Sequence, residues 1–271
     1  MDLIHRNYIE HLVTDHCNLK CDGCSMHSPY LDEEFSEFEL FKKDLAEVKK
    51  YIYVNEFRFV GGEPTLHPNI IDFFKEAKDS GIAKKIAVCT NGTSIFTLTP
   101  DFFSLVDVIY ISMYPETGIN YSKITEYLNS IVDQYNFKYV YEDKGSTFIK
   151  MHSDIELSQG FAQHNFMKCQ IAWDWGCISF KNGRFFRCGV SQIKNKFFKQ
   201  TVQVEPYNFL EDDSIVIHDQ NFNKQTLFDF IQSKKSLKAC KFCYGTRSTM
   251  VPRKQLTINE IKFLKKEQNE N

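Results

Sequence analysis

Cys17, Cys21 and Cys24 lie within the eight residues Cys17-Asn18-Leu19-Lys20-Cys21-Asp22-Gly23-Cys24. They follow the alternating run Tyr8-Ile9-Glu10-His11-Leu12-Val13, which reads as a short strand. The spacing therefore sets three thiols on one tight loop at the C-terminal end of a strand. Cysteine thiolates hold iron–sulfur clusters, usually four to a cluster. Three ligands to a four-iron cluster leave one iron open to a molecule from outside. The same sulfurs would suit zinc with His16 or His27 as fourth ligand, and cysteines without a ligand role pack as small apolar side chains.

A second motif, Gly61-Gly62-Glu63-Pro64, ends the strand-like run Glu56-Phe57-Arg58-Phe59-Val60 and precedes a helix-like stretch at 69–80. Glycines permit close backbone approach, and a carboxylate complements a bound ammonium. As a turn alone, GGEP needs no ligand. Val88-Cys89-Thr90-Asn91-Gly92 and Ile109-Tyr110-Ile111-Ser112-Met113 mark two further strand ends. Together with the cysteine loop, these segments resemble the radical S-adenosylmethionine (SAM) superfamily. The resemblance implies a [4Fe-4S] cluster on Cys17, Cys21 and Cys24. It also implies SAM contacts at Gly61, Gly62, Glu63, Thr90, Asn91 and Ser112, and cleavage of SAM to a 5′-deoxyadenosyl radical. One departure stands out: Gly23 takes the place where many members carry an aromatic residue that packs on adenine, so another group must cover that ring.

Five cysteines come later: Cys169, Cys177, Cys188, Cys240 and Cys243. Asn182-Gly183 between two apolar runs is a strong hairpin signal, because a type I′ turn needs positive φ at both central residues. Cysteines flanking a hairpin and joined by a later CxxC can converge as four ligands, and zinc and iron–sulfur clusters both accept four thiolates. Spacing does not choose between them. The pattern is similar to the twitch version of the SPASM auxiliary-cluster domain, which implies a second [4Fe-4S] cluster on Cys169, Cys188, Cys240 and Cys243. Cys177 in place of Cys169 is the competing set. Within the superfamily the chain looks most like the short twitch-bearing group that includes the butirosin aminocyclitol dehydrogenase. Local phrases also resemble radical SAM proteins associated with surface-polysaccharide or antibiotic-sugar genes.

The elements that must position these residues alternate. Strands are expected near 8–14, 56–60, 84–90, 107–113, 137–142 and 147–151, and helices at 36–51, 68–80, 99–105 and 119–135. Ser36 and Glu39 form a capping box for the first helix. Such alternation argues for parallel β-α units, with ligands at the C-terminal strand ends. The resemblance narrows this α/β class to a partial (β/α)6 barrel with a small C-terminal hairpin-plus-helix domain. The expected division is 1–151 for the barrel core, 152–248 for linker and auxiliary-cluster domain, and 249–271 for a C-terminal helix and tail. Residues 152–168 read as loop, and a last helix is expected around 257–267. Arg253, Lys254, Lys262, Lys265 and Lys266 read as part of a solvated face.

The chain has 271 residues, 42% hydrophobic, with a net charge of −2. This suits one large domain plus an appendage and argues against nucleic acid as the main partner. No signal peptide is read at the start, and no apolar run reaches the roughly 18 residues of a membrane helix. Nine cysteines then point to reduced thiols in the cytoplasm. The leading expectation is an oxidoreductase, most simply a dehydrogenase, acting on a carbohydrate, cyclitol or sugar nucleotide, with flavodoxin or ferredoxin as electron donor. A sugar epimerase, with Cys89 or Cys177 returning a hydrogen atom, and a ribosomal-peptide maturase are alternatives. So, outside the class, is a zinc-structural protein. The catalytic base is not identified by the sequence; His27, His164 and Arg247 lie near site segments.

Overall fold

In the computed structural model, residues 3–142, 146–201 and 209–270 are described, with side chains for all but 201 and 265–270. Strands and helices alternate first: β1 (Ile4–Thr14), α1 (Phe38–Val48), β2 (Ile52–Gly61), α2 (Ile70–Ser80), β3 (Ala83–Thr90), α3 (Pro100–Leu105), β4 (Val108–Ser112), α4 (Tyr121–Tyr135) and β5 (Lys138–Glu142). Then come β6 (Thr147–Ile149), α5 (Gln159–Met167), β7 (Ile178–Lys181), β8 (Arg184–Phe186) and α6 (Gly189–Thr201). The last are α7 (Phe209–Asp213), β9 (Ser214–Val216), α8 (Lys224–Gln232), β10 (Met250–Pro252) and α9 (Ile258–Glu270).

An eight-stranded sheet runs in the order β5-β4-β3-β2-β1-β7-β8-β9. Strands β1 to β5 pair in parallel, and β7 joins β1 in parallel before β8 and β9 turn antiparallel. The sheet is open, as a partial barrel is. Two expectations change here. The run near 147–151 does not supply a sixth barrel strand: β6 pairs antiparallel with β10 in a separate ribbon. The free edge of β1 is taken instead by the hairpin strand β7, so the hairpin extends the main sheet. Asn182 (φ 51°) and Gly183 (φ 74°) give that hairpin the turn its sequence demanded.

Side-chain alternation divides the sheet into two faces. Ile9, Val13, Phe57, Phe59, Val88, Ile109 and Ile111 pack with Phe41, Leu45, Phe73 and Phe74 of the covering helices. His11 is buried among them, donating from Nδ1 to Phe180 O (2.9 Å) and accepting at Nε2 from Ser36 Oγ (2.9 Å). Burial lowers its pKa to about 3, so it packs as a neutral ring. This commitment explains why the expected capping box fails. Ser36 serves His11, and α1 starts after Glu37 with no side-chain cap. A third correction concerns 152–168, where α5 forms with Ser158 Oγ accepting from Phe161 N at 3.3 Å. Gly160 in its first turn weakens the local helix signal. Among the described residues no helix is long and apolar enough to cross a membrane.

Candidate active site

The parallel strands end together, and their ends are locked by hydrogen bonds. Glu63, 1% exposed, accepts from Thr65 N (3.1 Å), Thr65 Oγ1 (2.6 Å) and Thr90 Oγ1 (2.6 Å) on Oε1. Its Oε2 accepts from Asn91 N at 2.7 Å. Each carboxylate oxygen offers about two lone-pair positions, so Oε2, which takes one bond, keeps one. Burial raises the Glu63 pKa while these four bonds oppose the rise. Asn91 carries the network onward, donating from Nδ2 to Asn18 Oδ1 (2.9 Å) and to Cys17 Sγ (3.9 Å). Gly61 and Gly62 are needed for a backbone contact. A Cβ on Gly61 would lie 2.2 Å from Thr14 O, and one on Gly62 2.0 Å from His16 O. Ser112 ends β4 in register with Glu142.

The three-cysteine loop lies beside this edge. Burial pushes Cys17 up to about 12 and Cys21 to about 11, where the other thiols of the loop add to the rise, and burial raises Cys24 against hydrogen bonds at Met26, Ser28 and His27. Lys20 Nζ donates to Cys17 O at 2.8 Å. An unexpected partner comes from far along the chain. Gln255 Nε2 donates to Cys21 Sγ (3.1 Å) and its Oε1 accepts from Lys20 N (2.7 Å). Asp22 N donates to Lys254 O (2.9 Å) and Leu256 N to Lys20 O (2.7 Å). The expectation of a solvated face at 253–266 therefore fails at Arg253. That residue is buried, donates to Met113 O and to Thr147 O, and stacks on Tyr114 and Phe148. Lys254 pairs with Glu260 at 3.3 Å; the side chains of Lys265 and Lys266 lie outside the described residues. Phe148 and Val251 of the β6–β10 ribbon lie against Gly23, within 3.9 Å of where a Cβ would be.

The later cysteines meet in one pocket. Cys169 follows α5, Cys188 stands between β8 and α6, and Cys240 and Cys243 belong to the turn Lys238–Phe242 and its end. All four line the same pocket, together with Arg187 and Lys194; Cys177 does not line it. Burial raises Cys188, Cys240 and Cys243, and mutual repulsion among the sulfurs adds to the rise. Cys177 Sγ instead lies 3.0 Å from the Tyr8 hydroxyl. The nine cysteines form no disulfide, and no group of three or more His, Cys, Asp and Glu among the described residues has single-ion geometry.

Between these two sites lies the sheet face opposite the helices. Tyr8 and Glu10 of β1 stand in register with Glu56 and Arg58 of β2. Arg58 pairs with Glu56 (2.8 Å), lies over the Tyr8 ring (3.9 Å) and donates to Tyr110 Oη (3.4 Å). Burial raises Glu10 to about 7, against the opposing pull of Arg58 and a hydrogen bond with Cys177. Its Oε2 lies 3.3 Å from where a Cβ on Gly189, the residue after Cys188, would be. Of the candidate bases, His164 and Arg247 are exposed. His27 is buried, with its ring stacked on Phe197 at 4.1 Å, and His16 pairs with Glu33 at 3.5 Å.

Residues 12–138 match the family model of the radical SAM superfamily. This stretch, a little under half of the chain, is similar to the radical SAM superfamily, whose members are enzymes that use a [4Fe-4S] cluster and SAM. The chain is 34% identical over 109 residues to the tungsten-containing aldehyde ferredoxin oxidoreductase cofactor-modifying protein of Pyrococcus furiosus, covering 39% of this chain and 30% of that one. It is 24% identical over 119 residues to the GTP 3′,8-cyclase of Crocosphaera subtropica, 41% and 35% respectively. The chain thus spans about a third of these curated relatives. The crystal structure of BtrN in complex with AdoMet and 2-DOIA is similar over 92% of this chain and 96% of that one, with a TM-score of 0.57 and 14% identity. That likeness is one of fold.

Both cysteine sites fit the radical SAM chemistry in their donor sets. Three thiols on one loop leave an iron open, and the neighbouring Glu63 Oε2 has one acceptor position left. The pocket of four thiols contains two buried cations, Arg187 and Lys194. Neutral thiols add no counter-charge to those cations, whereas a tetrathiolate metal centre is anionic and balances them. Sequence reasoning missed Gln255, Arg253, Tyr114, Phe148, Glu10 and Lys194. The clearest available signals were Glu10 and Arg58, polar residues at alternate positions within strands.

Proposed function

We propose that this radical SAM enzyme, cytoplasmic and reduced by a flavodoxin or ferredoxin, dehydrogenates a carbinol carbon of a carbohydrate, cyclitol or sugar nucleotide. In this reading Cys17, Cys21 and Cys24 hold the SAM-binding cluster, and Cys169, Cys188, Cys240 and Cys243 hold an auxiliary one in a twitch-type module within 152–248. SAM bound to its cluster supplies the hydrogen-abstracting radical; everything else is positioning by the protein. Gly61, Gly62, Thr90, Asn91 and Ser112 form the rim on which SAM rests, and Glu63 both braces that rim and offers Oε2 to the ligand ammonium. Tyr114 and Phe148 supply the aromatic surface that Gly23 lacks.

The observation that carries the reading is the continuity of the polar sheet face with the four-cysteine pocket. Glu10 Oε2 lies 3.3 Å from where a Cβ on Gly189, next to Cys188, would be, so a substrate bound at Glu10 would stand near a second redox-capable centre. Glu10, with its pKa near 7, suits acceptance of the hydroxyl proton as a ketone forms, and Arg58 orients the neighbouring oxygens. A second reading, epimerisation, is favoured by Cys177: its thiol stands on the same face beside Tyr8, where it can return a hydrogen atom. Turnover in deuterated water followed by mass spectrometry separates them. A product lighter by two hydrogens supports dehydrogenation. An unchanged formula carrying one non-exchangeable deuterium would establish epimerisation instead.

A further inference from the structure

Lys194 is the least expected residue of the four-cysteine pocket. A lysine is almost never fully buried without a partner of opposite charge, yet this one is 1% exposed. It sits on α6 just beyond Cys188, and its Nζ lies 2.9 Å from His152 Nδ1. The far nitrogen of that imidazole meets Asp154 Oδ1 at 3.0 Å. His152 is a neutral acceptor toward Lys194, because burial lowers its pKa more than Asp154 restores it. The second cation of the pocket, Arg187, is better provided for: it donates to Ser233 O and Lys235 O and feels the Asp213 carboxylate. Burial lowers the Lys194 pKa to about 8, and the groups that oppose this are, in order, Cys243, Cys188, Asp154 and Cys240, three of them pocket cysteines.

We propose that Lys194 is the charge-compensating cation of the four-cysteine centre and that it raises the reduction potential of that centre. The inference rests on the reading of these cysteines as an iron–sulfur site. An oxidised [4Fe-4S] core with four thiolates carries a net charge of −2, and one added electron makes it −3. A fixed positive charge in a dry pocket stabilises the more negative form, and net charge around a cluster is among the levers that set its potential. Lys194 thereby biases the centre towards accepting an electron from the substrate side. Lys194 follows Cys188 by six positions on the helix that begins at Gly189, which keeps cation and ligand in fixed relation.

The test is an anaerobic redox titration of the reconstituted full chain, followed by electron paramagnetic resonance of the second cluster. Lys194→Met, Lys194→Gln and Lys194→Arg are compared with the wild type. Both neutral variants should shift reduction by about tenfold, a drop of about 59 mV for one electron, while Lys194→Arg stays near the wild-type value. If the neutral variants cannot hold the second cluster and Lys194→Arg can, the compensating charge is supported. Neutral variants with a cluster at an unshifted potential would overturn the proposal and leave the auxiliary-cluster reading standing. An arginine variant that behaves like the neutral ones would overturn it too, since shape rather than charge would then matter. Zinc in the wild-type site would sink both.

Discussion

The two cysteine sites are built in opposite ways. Cys17, Cys21 and Cys24 come from one loop of eight residues, and the surrounding strand ends are already fixed by the Glu63–Thr90–Asn91 network. The other four cysteines come from three separate segments of chain, with a buried lysine and arginine among them. The first site is a local motif laid on a finished sheet. The second draws together distant segments around two buried cations, which the proposed auxiliary centre would balance with its negative charge. The loop should therefore be critical for chemistry and dispensable for folding, whereas the pocket should be needed for folding as well as for chemistry.

Removing each site in turn is the strongest way to break that contrast. Cys188→Ala should lose the second centre and most soluble protein, since metal binding in small modules contributes on the order of 10 kcal/mol to folding. Cys177→Ala should keep full iron content. Should Cys177→Ala lose iron while Cys169→Ala retains it, the ligand choice is reversed. Changing Cys17, Cys21 and Cys24 together to Ala should abolish 5′-deoxyadenosine formation while the protein stays folded with about four irons. Chromatography of SAM cleavage products beside iron analysis decides this.

Smaller changes sharpen the same contrast. Glu63→Gln should destabilise the fold by about 2 kcal/mol, because hydrogen bonds to a buried charged acceptor are lost, and should weaken SAM binding. Calorimetry and thermal melting are read together. Weaker binding with unchanged melting would mean that Glu63 acts on SAM alone and does not brace the strand ends. A further effect, seen only as the pH falls, belongs to His11, outside both sites. Its folded pKa of about 3 lies below the unfolded value of 6.5, so its contribution to stability is present above pH 6.5 and is lost as pH falls towards 3. The loss is at most about 1.4 kcal/mol per pH unit. His11→Asn should flatten that acid limb in pH-dependent melting, and an unchanged slope would mean that another group carries it.

Legibility followed the same division. The loop motif, the GGEP turn, the parallel strands and the Asn182-Gly183 hairpin were readable because each is encoded within a few neighbouring residues. The capping box at Ser36 misled because the hydroxyl was needed by His11, 25 positions away. The 249–257 stretch, read as the start of a tail, instead pairs with the cysteine loop. Gln255 reaches Cys21 across 234 positions, and no local periodicity announces such a contact. Lys194 looked like any polar helix residue, since its burial arises only when α6 packs against the 150s and the Cys240 turn.

The central claim is that this chain carries two iron–sulfur centres of unequal role. Metal and sulfide analysis of anaerobically purified, reconstituted protein, with Mössbauer spectroscopy, tests it most directly. The account predicts about eight irons and eight sulfides per chain, falling by half in the Cys17/Cys21/Cys24 triple variant. About four irons in the wild type, or zinc with negligible sulfide at the later cysteines, would contradict it.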